Sequence, residues 1–150
     1  MRVRLRPKDA ASGGGSMVKA WAWGALVVLA LSYCAPYSYS RSAPGRPVGA
    51  WAAEVPEAHR VTVCVAAACL LTLLAVRAGR TPGIVILPMY AAAAVGLCLA
   101  LVASFGYPGN PTHKAGPGVR MQGLAAILAF VAVVEAGGLR KPSRRGRSLP

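Results

Sequence analysis

The chain has 150 residues, room for one compact domain; 55% are hydrophobic and only 14% are charged. The net charge of +13 comes mostly from two terminal groups of bases. Neither lies beside an aromatic single-strand motif or a helix-turn-helix pattern, which argues against a nucleic-acid partner. Charges are kept out of long runs, whereas a soluble helix would carry a polar stripe on its solvent face.

Four apolar runs remain, at about 17–35, 61–77, 82–105 and 121–139, broken internally only by Lys19 and Glu135. A helix of 18 or more such residues spans the roughly 30 Å hydrocarbon layer. The expectation is an all-α, four-span transmembrane bundle over residues 17–139. Residues 1–16 and 140–150 read as disordered basic tails.

The first run follows a Gly-rich stretch, Ser12 to Ser16, after which Met17 is a candidate start. It resembles a secretory signal in outline, but cleavage after Ala35 would put Tyr33 at −3, a poor residue there. An uncleaved anchor accounts better for it. Trp21 and Trp23 at one end and Tyr33, Tyr37 and Tyr39 at the other read as interfacial anchors. Pro36 is expected to stop the helix.

The first long loop, 36–59, is rich in Tyr, Ser, Pro and Gly, with a short interfacial helix expected around Trp51. The second run offers 16 uncharged residues, Val61 to Val76, or about 24 Å of helix, which is short for a bilayer. The third contains Pro88 about one turn from its start. Beyond it Ala92, Gly96, Ala100 and Ser104 recur every fourth residue, a small stripe along which another helix can approach closely. Gly106 to Arg120 carries glycines and prolines in a pattern that favours consecutive turns. In the fourth run Ala125, Ala129, Ala132 and Ala136 form a weaker analogue of the stripe.

Four-span threading gives the orientation. One side holds Arg2, Arg4, Arg6, Lys8 and Lys19, then Arg77 and Arg80, then Arg140, Lys141, Arg144, Arg145 and Arg147. The other holds Arg41, Arg46, Arg60, Lys114 and Arg120, offset by Glu54 and Glu57. The positive-inside rule puts both termini in the cytoplasm, where the tails meet the anionic inner leaflet. Losing or adding one span would leave a basic terminus on the wrong side.

Little chemistry is legible. Glu135 is the one carboxylate in a span, and intramembrane acids point to function. Four residues separate it from Arg140, so an ion pair with Arg77 or Arg80 near the headgroups is the simpler expectation, ahead of a coupling site. His59 and His113 fall on the outer side without the spacing of a haem or metal site. Cys34 and Cys64 lie at similar depth and form a candidate disulfide pair; Cys69 and Cys98 read as small core residues. There is no G-x-S-x-G elbow, no H-E-x-x-H and no glycine-rich phosphate loop. The Trp and Cys pattern of claudin-like first loops is missing as well.

The leading expectation is a non-enzymatic integral membrane subunit or accessory protein, packing against other subunits or itself, with no cofactor or metal. The alternatives are a small oligomeric transporter or channel, a pore-forming lysis protein included, and an interfacial lipid-modifying enzyme. The threading is testable with single cysteines at Ser42, Thr112 and Ser143 in a cysteine-free chain. An impermeant thiol reagent should label the first two in intact cells and Ser143 only after lysis. Labelling of Ser143 in intact cells would invert the orientation.

Overall fold

Two of the four helices begin where a proline starts them. In a computed structural model, which describes residues 12–41, 47–78, 83–105 and 113–138, the helices are α1 (Ser12–Ser32), α2 (Pro56–Arg77), α3 (Gly83–Phe105) and α4 (Pro117–Gly138). Pro56 and Pro117 occupy the first helical position, where a missing amide hydrogen costs nothing and the fixed φ is already helical. The second span therefore starts five residues before Val61, and the fourth span starts four residues before Met121. With 22 residues, or about 33 Å, α2 is not short for a bilayer, and His59 and Arg60 belong to its first turns. Glu57 sits in that first turn, where the helix dipole favours an acid.

Helix α1 also differs from expectation. It is helical from Ser12, so the Gly-rich stretch to Ser16 is structured. It ends at Ser32, short of Ala35, in a tight turn where the Tyr33 amide donates to Ala30 O (3.2 Å) and that of Cys34 to Leu31 O (3.0 Å). Pro88 lies within the early turns of α3, and the helix continues through it. The tails 1–11 and 140–150, Arg80, and the loop stretches 42–46 and 106–112 lie outside the described residues.

The bundle is built small inside and large outside. Helix α1 packs beside α2 and α4, α3 packs beside the same two, and α2 and α4 also meet across the middle. The buried apolar residues of α1 are Val18, Ala22, Ala25 and Leu29, and those clustered with them on α4 include Ala125, Ala129, Ala132 and Ala136. The alanines of α4 thus form a fully buried face. Most large apolar side chains point outward: Ile84 is 87% exposed, and Phe105, Leu87, Val63 and Leu74 follow it, whereas Met89 is buried. In lipid there is no hydrophobic drive between helices, so association rests on close backbone approach, which alanine and glycine permit. Trp21 is half-buried against the core, whereas Trp23 is exposed.

The α3 stripe faces its own bundle. A Cβ on Gly96 would lie 3.2 Å from Cys64 Cβ and 3.2 Å from Val65 Cγ2, both on α2. Ala100 is buried in the core, Ala92 is half-buried beside it, and Ser104 folds its hydroxyl back onto Ala100 O at 2.7 Å.

Both long connections meet in one sheet. Strands β1 (Pro36–Arg41), β2 (Pro47–Trp51) and β3 (His113–Ala115) pair antiparallel in the order β2-β1-β3. Tyr39 sits between Gly49 and Lys114, and a bulge falls between Pro36 and Ser38. The short helix expected around Trp51 is a single 3₁₀ turn, Ala52–Glu54, with Trp51 at its N-cap, while Trp51 and Ala50 themselves belong to β2. The second loop likewise carries regular structure in β3. Sharing one sheet places the two long connections at the same end of the bundle, in keeping with four antiparallel helices.

Replacing Gly96 by Leu should lower the melting temperature in detergent, at a cost of about 1–3 kcal/mol for overpacking. Gly24→Leu is the control, because a Cβ there meets nothing within 4 Å. Equal melting of the two variants would show that α3 does not press on α2 at this point.

Candidate functional site

A connected group of polar side chains lies at the sheet end, whereas Thr72, buried farther along α2, bonds back to Ala68 O at 2.7 Å. Two glycines bring α4 to the sheet end. A Cβ on Gly116 would collide with the carbonyl oxygens of Pro36 and Tyr37, and its amide donates to Tyr37 O at 2.9 Å. A Cβ on Gly118 would lie 2.9 Å from Ala35 O and 3.1 Å from Ser32 O. Only glycine allows the first turn of α4 to rest directly on the chain leaving α1. An apolar layer of Tyr37, Ala52, Ala58 and Val119 closes over this end.

One turn beyond Gly118 stands Gln122, the only glutamine in the chain, at 1% exposure. Its Nε2 donates to Thr62 Oγ1 (3.3 Å) and to Ala58 O (3.4 Å) on α2. Thr62 donates its own proton to Ala58 O at 2.8 Å, so its oxygen accepts from Gln122 and from the Tyr33 hydroxyl at 2.9 Å. The Tyr33 hydroxyl also lies 3.5 Å from Nδ1 of the exposed His59. On the far side of that ring, Nε2 lies 3.1 Å from Ala53 O. A carbonyl can only accept, so Nε2 carries the proton in the neutral ring and Nδ1 is an acceptor. One hydrogen-bonded chain therefore runs from buried Gln122 across α2 to the surface and joins α2, α4, the turn that ends α1 and the turn after β2. It ends inside on Gln122 Oε1, which is buried with no hydrogen-bond partner.

The residues singled out from sequence lie mostly elsewhere. Glu135 is half-buried near the opposite end of α4, and Arg77 is exposed at the end of α2. Nearby, a Cβ on Gly137 would collide with the Tyr90 hydroxyl. Cys34 and Cys64 are free thiols, the first exposed and the second half-buried against Gly96; the candidate disulfide is not formed. Cys69 is buried as expected, but Cys98 is exposed on the outside of α3. His59 joins the polar chain, whereas the backbone of His113 pairs with Ser40 in the sheet. Among the described residues, no group of three or more His, Cys, Asp or Glu comes together to hold a metal ion. Sequence reading overlooked Gln122, although a lone amide in an apolar span is itself the signal.

The four helices are long and apolar enough to cross a membrane. Fold and composition together define a multi-pass integral membrane protein, a four-helix bundle with a small sheet at one end. The chain matches no known protein family, and no curated protein is a match to it.

The Tyr33–Thr62 bond ties α1 to α2 and should show as coupling. In a double-mutant cycle of Tyr33→Phe and Thr62→Val, read by thermal or denaturant unfolding in one detergent, the expected interaction energy is about 0.6 kcal/mol, the average for hydrogen bonds between membrane helices. Strict additivity would mean that the bond does not hold the two helices.

Proposed function

We propose that this chain is a non-enzymatic membrane subunit or accessory protein that docks other transmembrane helices. The observation that carries the reading is the outer face of α3. Ala91, Ala94 and Cys98 are exposed in the middle of that face, between the larger exposed residues Leu87, Leu101 and Phe105. Their spacing of three and four puts them along one side of the helix. Small residues on the outside of a bundle offer a second helix the same close approach that alanine gives α4 inside.

The transport reading draws less support. The middle of the bundle is filled by Ala22, Ala25, Val65, Ala125 and Ala129, which gives a single copy no polar lining there. A conduit would have to lie between copies.

Cys98 reports on this face directly. In a chain whose other three cysteines are serine or alanine, mild oxidation in membranes should cross-link Cys98 to a partner or a second copy. Ala94→Leu should reduce the cross-link several-fold while leaving melting within about 0.5 kcal/mol of the parent, as for substitutions away from the core. No cross-link in native membranes, with a strictly monomeric particle in mild detergent, would overturn the proposal.

A further inference from the structure

The hydrogen-bond inventory of the cluster at the sheet end is lopsided. Both Nε2 protons of Gln122 are used, on Ala58 O and Thr62 Oγ1. The Thr62 proton is used on Ala58 O, and the Nε2 proton of His59 on Ala53 O. The Tyr33 proton goes to Thr62 Oγ1 at 2.9 Å in preference to His59 Nδ1 at 3.5 Å. Every donor is engaged. What is left over is acceptors: Gln122 Oε1, buried and unpartnered, and His59 Nδ1, nearer the surface. A buried carbonyl without a donor is costly, and more so where no water surrounds the helix.

We infer that this cluster is a binding site for an uncharged hydroxyl donor, whose O–H bonds to Gln122 Oε1. The ligand must donate, because nothing in the cluster is left to donate to it. It is uncharged because Gln122 is 1% exposed, where a charge of either sign would be stripped of water, and the excess of Arg41, Arg60, Lys114 and Arg120 over Glu54 and Glu57 at this end further disfavours an ammonium group. Half-buried Tyr33 and Thr62 lead from exposed His59 to Gln122, so the acceptors are graded from the surface inward. Two sources supply this chemistry: the hydroxyl of a neutral lipid headgroup and an enclosed water molecule. The inference concerns the sheet end alone and stands apart from the docking face of α3.

Because Gln122 is the only glutamine, glutamine carrying ¹³C at Cδ labels one side-chain carbonyl. The wild-type protein would be placed in phosphatidylcholine bilayers alone, with 1,2-dioleoylglycerol, or with the acetyl ester of that lipid. Isotope-edited infrared spectroscopy then reads the side-chain carbonyl, which moves to lower frequency when it accepts a hydrogen bond. A downshift with dioleoylglycerol but not with its ester supports the site and assigns it to a lipid hydroxyl. A downshift in all three bilayers that reverses on drying supports it and assigns water. A carbonyl at the frequency of a free amide throughout, or a downshift indifferent to both lipid and drying, overturns the inference.

Discussion

Close approach between alanine-lined helices is the contact on which the rest of this structure depends. In a bilayer the lipid tails are as apolar as any side chain, so burying leucine gains little, and contact area between backbones decides which helices stay together. Helix α4 meets this condition with Ala125, Ala129, Ala132 and Ala136, all buried, and α1 answers with Ala22 and Ala25. The thin α4 can then contact all three other helices, and α2 meets it across the bundle. Gly96 does for α3 against α2 what alanine does for α4. Bulky residues are left to face lipid.

The same need for close approach organises the sheet end. Gly116 and Gly118 let the chain entering α4 lie against the chain leaving α1, and that contact carries β3 alongside β1. The first connection folds back on itself as β1 and β2, so the second has a strand edge to join. Backbone groups that would otherwise be unpaired at the membrane boundary are satisfied in the ladder. The sheet is thus a consequence of where α1 and α4 touch.

Placing Gln122 one turn below this junction introduces the main polar interruption in the bundle interior. Its amide protons bind α2 to α4, and Tyr33 extends the link to α1. Polar contacts of this kind contribute modestly to stability but fix rotation and register, which a featureless alanine face leaves loose. The buried Oε1 is the part of that arrangement with no structural use inside the protein.

The sequence by itself determined the number of spans, because charge exclusion over a bilayer's length depends on composition alone. It also marked the small-residue faces of α3 and α4, which four-residue spacing reveals without coordinates. It did not locate the helix ends at Pro56 and Pro117, since both prolines stand outside the apolar runs by which a span is recognised. The sheet was hidden because its strands are short, β1 and β3 pair residues more than 70 positions apart, and the strands are rich in residues that signal turns. The polar cluster was hidden for a related reason: Gln122 stands out as a lone amide in an apolar span, but nothing in the sequence brings Tyr33 and Thr62, from two other segments, to its side. Which way the Gly96 stripe faces, and which residues three helices bring to one end, was decided only by tertiary packing, because spacing along a helix fixes a face but not the neighbour it meets.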